Sequence, residues 1–158
     1  MFWKILILVV MTFVPTLELR ASIPYGYWEA GLSPVATVAI CVLANIALAP
    51  LVWLLVDKGI HVFLKFDWID RLYSRVVERA RAKLRPYVER WGTVGLALFI
   101  GVPLPGSGVY SGGLGAYLLG FSFSQFIVAS VIGVLIAGAL VTAIVVSGMT
   151  GFDLFLKH

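Results

Sequence analysis

Glu18, Arg20 and Glu29 lie with Pro15 and Pro24 in the stretch V-P-T-L-E-L-R-A-S-I-P-Y-G-Y-W-E-A-G, residues 14–31, between two apolar segments. Charge is expensive in such a place. An Arg or Asp near the middle of a membrane-spanning helix costs about 2.5–3.5 kcal/mol on insertion scales, so these groups face a cavity or a partner rather than lipid. Glu18 is a candidate proton carrier, because a carboxyl in apolar surroundings holds its proton to higher pH and can exchange it near neutrality. Glu29 is a second, more solvated candidate. Arg20 supplies a fixed positive charge and up to five donors, which suit an anion. The competing reading is structural: two residues apart on extended backbone, Glu18 and Arg20 point the same way and can form a permanent ion pair.

A second constellation follows much later, V-P-L-P-G-S-G at residues 102–108 and V-Y-S-G-G-L-G-A-Y-L-L-G at residues 109–120. Pro103 and Pro105 interrupt helix there, as Pro15 and Pro24 do in the first stretch. Gly106 and Gly108 permit close backbone approach, and Ser22, Ser107, Tyr110 and Ser111 carry hydroxyl donors. If each stretch starts a new helical arm, the arms begin near residues 21–25 and 107–111. Their free N–H groups and positive dipole ends then join Arg20 in a site for an anion, above all a phosphate or phosphonate oxygen.

Other chemistries find little support. No His, Cys or carboxylate cluster offers a metal site, and no motif calls for a cofactor. A hydrolase using Ser107 lacks a base, since neither His61 nor His158 is on an apolar span and no Lys lies near Ser107. The chain is therefore not expected to be an enzyme. Cys41, the single cysteine, sits in an apolar run and implies no disulfide framework.

The elements that must position these residues belong to a membrane. The chain has 158 residues, 61% hydrophobic and 13% charged, too apolar for a soluble domain of this size to hide. Charge is absent over 27 residues between Glu29 and Asp57 and over 62 between Arg90 and Asp153, against the roughly 18–20 a spanning helix needs. The expected class is an all-α integral membrane protein forming a single membrane domain. Residues 1–14 begin M-F-W-K and resemble a signal peptide, but cleavage after Ala21 would place Leu19 at the minus-three position, so the segment is expected to remain. As a helix of about 21 Å it falls short of the roughly 30 Å hydrocarbon core, and a second short arm runs to Gly31. Residues 35–56 are long enough to cross. Residues 91–102 and 109–120 again form two short arms, and residues 124–146 a second crossing, with Ala129, Gly133 and Ala137 as a small-residue ridge suited to helix packing.

Residues 57–90 differ. Nine of the twelve Lys and Arg fall there, and Arg71, Arg75, Arg79 and Lys83 form a stripe at four-residue steps while Ile69, Leu72, Val76, Ala80 and Leu84 recur at three- and four-residue steps. This spacing predicts an amphipathic interfacial helix flanked by Trp68 and Trp91, touching anionic membrane lipids rather than nucleic acid.

The layout of the two halves points to an internal repeat. Leu8, Val14 and Pro15 match Leu96, Val102 and Pro103 at an offset of 88, and Gly31, Ser33 and Val42 match Gly120, Ser122 and Val131 at 89. If residues 1–56 and 91–158 each contribute a re-entrant helical hairpin and one transmembrane helix, each half crosses an odd number of times, and the result is an inverted repeat. Basic residues favour the cytoplasm, which puts residues 57–90 inside and both termini outside. Paired interrupted segments in corresponding positions point to a secondary-transporter binding site near mid-depth. Two crossings and two hairpins give little wall around a substrate, so a homodimer is expected.

Through E-L-R-A-S-I-P-Y-G at residues 18–26 and P-L-P-G-S-G-V-Y-S-G-G-L-G-A-Y-L-L-G at residues 103–120, the chain resembles the putative small multidrug export protein family of prokaryotic membrane proteins. More remotely it resembles the DedA superfamily, also called the VTT or SNARE-associated group, whose members have paired re-entrant hairpins and include carriers of polyprenyl-phosphate lipids. The resemblance implies a proton-coupled transporter or lipid flippase for an amphipathic anion in a prokaryotic plasma membrane, or alternatively an exporter of cationic drugs or a non-transporting membrane organiser. In the remote relatives, acidic residues of the first hairpin and arginines of the second half are functional; Glu18 matches the first feature, whereas the second hairpin here has no Arg.

Overall fold

A computed structural model describes residues 2–15, 17–63, 91–103 and 107–156, with side chains for residues 2–15, 17–59, 91–103 and 107–148. Every regular element among them is helical: α1 Phe2–Phe13, α2 Glu18–Trp28, α3 Pro34–Phe63, α4 Trp91–Gly101, α5 Val109–Leu118 and α6 Phe123–Leu156. The basic segment with Trp68, Arg71, Arg75, Arg79 and Lys83 lies outside the described residues, as do Pro105 and Gly106.

Two helices are long and apolar enough to cross a bilayer, over Pro34–Gly59 and Phe123–Gly148. Only 28% and 33% of their most apolar windows are buried within the chain, where the core helix of a soluble protein would be mostly covered. Val35, Leu43, Leu54, Leu55, Val128, Leu135 and Ile144 face outward. An apolar surface of that extent belongs in lipid, and the protein is a membrane protein.

The four remaining helices, at 10 to 12 residues, are about half the length needed to cross. α1 packs antiparallel to α2, with Lys4 Nζ donating to the Glu29 carbonyl at 3.2 Å at one end of the pair. α4 lies against α5, since a Cβ on Gly112 would meet Ile100. Positive-φ glycines end α2 and α5 in the same way, Gly31 at φ +63° and Gly120 at φ +78°, matching the 89-residue offset. Contacts along α3 fix how the two pairs sit. Glu18 at the start of α2 meets Asn45, and Gly26 lies on Thr37. Gly113 lies on Val52, and Tyr117 Oη donates to Asp57 Oδ1 at 2.9 Å. α2 and α5 thus start near one level and run toward opposite ends of α3.

One expectation is corrected. Pro24 does not break helix: it is the seventh residue of α2, which already begins at Glu18. A proline there removes one bond, to the Arg20 carbonyl, while packing against α1, α3 and α6 holds the remainder. α3 contains the expected crossing at residues 35–56 and runs on through Asp57, where the Asp57–Tyr117 bond and the Trp53 cluster with Tyr117, Phe123 and Phe126 anchor it. α6 likewise continues past Val146 to Leu156.

The small-residue ridge of α6 is occupied inside the chain. Ala129 is fully buried, and a Cβ on Gly133 would lie 2.7 Å from the Ala97 carbonyl and 2.7 Å from Ile100 Cβ in α4. Backbone cannot yield as a side-chain tip can. Gly133→Ala is therefore expected to lower stability in detergent by about 1–3 kcal/mol. Gly148→Ala, which meets nothing within 4 Å, is expected to leave the unfolding temperature unchanged.

Candidate functional site

The site is built where the bend after α1 meets the start of α5. Pro15 follows α1, and Glu18 opens α2 at φ +40°, a left-handed conformation that is rare for a non-glycine residue and costs of the order of 1–3 kcal/mol. That turn sends the carboxylate away from its own helix. Glu18 is 7% exposed, and its oxygens accept from the backbone N–H of Val109 at 3.3 Å and of Tyr110 at 3.4 Å. These are orphan donors of the first turn of α5, so an acid from one half of the chain caps a helix of the other.

Gly108 makes this approach possible. It precedes α5 at φ +114°, and a Cβ on it would lie 2.5 and 2.9 Å from the two Glu18 carboxylate oxygens. The side chain of Asn45, 1% exposed, reaches the same carboxylate from α3. Tyr110 returns the exchange by donating its hydroxyl to the Phe13 carbonyl at 2.5 Å, which satisfies an orphan acceptor at the end of α1.

Arg20 diverges from Glu18. Its Nη2 donates to Ser107 Oγ at 2.5 Å, and Ser107 Oγ in turn donates to the Val102 carbonyl at 2.6 Å. The guanidinium is half-buried and attracts the Glu18 carboxylate through space, but its hydrogen bond goes across the junction to the other half. No direct hydrogen bond joins the two side chains among the described residues.

Glu18, Arg20, Ser107, Gly108 and Tyr110 thus come together from positions roughly 90 residues apart in sequence. Ser111 is half-buried in the first turn of α5, and Pro103 lies just beyond α4, beside this group in the chain. Ser22 does not join it: fully buried, it donates to the Glu18 backbone carbonyl at 2.9 Å within α2. Glu29 is exposed at the opposite end of α2. The first arm offers no free N–H groups at residues 21–25, because α2 starts earlier and Ala21 N–H already bonds the Leu17 carbonyl. Asn45 is not among the candidate residues read from the sequence. Its only signal was being the one carboxamide in an apolar helix.

If the Glu18 cap depends on bare backbone at Gly108, Gly108→Ala and Glu18→Gln will not be additive. A double-mutant cycle on detergent stability is expected to show a coupling of about 0.5–3 kcal/mol, whereas additive losses would mean that the alanine acts through backbone strain alone. Tyr110→Phe, which leaves the Phe13 carbonyl unpaired, is expected to cost about 1–3 kcal/mol in the same measurement.

No curated protein and no solved structure matches the chain. A family model does, over residues 18–140, a range that runs from Glu18 itself through the α5 junction and about half of α6. By that match the chain belongs to the family described as "Putative small multi-drug export protein".

Proposed function

We propose that the protein is a secondary transporter of a prokaryotic plasma membrane, with its substrate site at the junction of Glu18, Arg20, Ser107 and the start of α5. In this reading α1–α2 and α4–α5 are re-entrant hairpins that enter from opposite leaflets and meet at mid-depth, and the two halves form an inverted repeat. The contacts along α3, which send α2 and α5 toward opposite ends from one level, support that arrangement. So does the aromatic dressing of the two ends, Trp3 and Trp28 at one and Trp53, Tyr117 and Phe123 at the other, as interfacial side chains would be placed. Both termini then lie outside and the basic segment in the cytoplasm. Helix α5 starting inside the bilayer is tolerated only where protein or a polar chamber satisfies its backbone, which is the circumstance of the Glu18 cap.

The substrate class that fits is an amphipathic anion such as a polyprenyl-phosphate-type lipid. The carrying observation is that Arg20, bonded to Ser107, and the N-terminus of α5 converge on one point. Glu18 would couple transport to protons. A second reading, efflux of cationic drugs, is favoured by the family's description and by Glu18 being the buried charge of the site. Either carrier would work as a homodimer or larger, since two crossings and two hairpins give little wall around a substrate.

Reconstitution into proteoliposomes separates the readings. Translocation of a fluorescent long-chain alkyl phosphate is expected to fall about tenfold or more in Arg20→Ala, which deletes a charge-assisted bond. Ser124→Ala, on the exposed start of α6, should leave it intact. Unchanged alkyl phosphate movement in Arg20→Ala, together with export of a quaternary ammonium dye that is abolished by Glu18→Gln, would favour the cationic reading.

A further inference from the structure

The Glu18 carboxylate occupies the position that an anionic ligand would need. Its two oxygens take the Val109 and Tyr110 N–H groups, the donors through which a helix N-terminus binds a phosphate oxygen. An outside anion and Glu18 cannot hold them together.

A second observation says where Glu18 goes when it gives way. Asn45, 1% exposed and in contact with that carboxylate, keeps its Oδ1 buried with no hydrogen-bond partner. A buried acceptor without a donor is costly. An ionised carboxylate has no proton to give it, whereas a protonated one has an O–H.

We infer that Glu18 is a displaceable internal ligand: on taking up a proton it turns its O–H to Asn45 Oδ1 and yields the Val109 and Tyr110 N–H groups to the phosphate oxygen of an incoming anion. The inference rests on the anion-carrier reading above. One proton goes from water to a Glu18 oxygen and one monoanion enters, so the charge at the junction is the same before and after. That matters in a medium of low dielectric, where a second uncompensated negative charge would be prohibitive. The groups facing Glu18 leave it as the one that titrates. Arg20 on α2 keeps its charge, Tyr110 on α5 is bonded to the Phe13 carbonyl, and Asn45 on α3 is uncharged. Neither α4 nor the Phe123–Gly148 span carries an ionisable side chain, and the one such residue of α1, Lys4, is at its far end.

The test is calorimetry on the purified full chain in nanodiscs with dioctyl phosphate, a monoanion throughout the pH range, beside dimethyl phosphate, the same head group without chains. Wild-type affinity for dioctyl phosphate should rise as pH falls, by about tenfold per unit where Glu18 is ionised, with about one proton taken up per anion in buffers of different ionisation enthalpy. Glu18→Gln should bind without that slope and, at about pH 8, more tightly than wild type. Equal binding of dimethyl phosphate would support the same exchange with a small free anion as its source, and weaker binding would mark a lipid head group. Binding of dioctyl phosphate with no proton uptake would overturn the inference while leaving the anion carrier standing. No binding at any pH would remove both. If Glu18→Gln fails to fold, the wild-type proton count decides alone.

Discussion

A helix that starts in the middle of an apolar structure must find partners for its first N–H groups, and here those of α5 are met by a carboxylate from the other half of the chain. Much of the junction follows from that need. It requires an acid at the bend before α2, a backbone at Glu18 that turns the side chain outward, and a glycine at position 108 to let it arrive. The debt runs both ways, since Tyr110 of α5 closes the end of α1 at the Phe13 carbonyl. The two halves are thus joined by mutual capping as well as by packing.

The halves share a layout but divide the chemistry. Their arms end alike at Gly31 and Gly120, yet at the offset of 88 to 89 the counterparts of Glu18 and Arg20 are Gly106 to Val109, residues without charge. One half supplies the acid and the guanidinium; the other supplies a glycine-bordered helix start and Ser107 to receive them. Asn45 extends the asymmetry, because its counterpart by offset is the buried Val134. The charged side chains of the junction thus come from the first half alone.

Much of this was legible in the sequence because it rests on lengths and on residues with narrow physical roles. Two runs too short to cross, each ending at a proline, give the paired short helices, and two long uncharged runs give α3 and α6. Arg20, Ser107, Gly108 and Tyr110 were legible as a group because charge, glycine and hydroxyls have few other reasons to lie within such segments. What was hidden depends on tertiary packing. Pro24 looks like a helix start until neighbouring helices are seen to hold α2 across it. Ser22 looks available until its hydroxyl is found spent on the Glu18 carbonyl. The Glu18 partners were hidden more deeply, since backbone N–H groups leave no mark in a sequence, and an apparent Glu18–Arg20 pair two residues apart gave no sign that both side chains reach across to the other half.

In the proposed arrangement two half-depth hairpins enter from opposite faces and meet at Glu18. Site-directed labelling with a membrane-impermeant maleimide, in a background lacking Cys41, tests this most directly. Trp3→Cys and Trp28→Cys should react from the outer face of intact cells, and Lys58→Cys, Trp91→Cys and Phe123→Cys only after the cytoplasmic face is opened. Labelling of the Trp3 and Trp28 positions from opposite faces, or of the Trp91 and Phe123 positions from opposite faces, would mean that a short helix crosses after all and would contradict it.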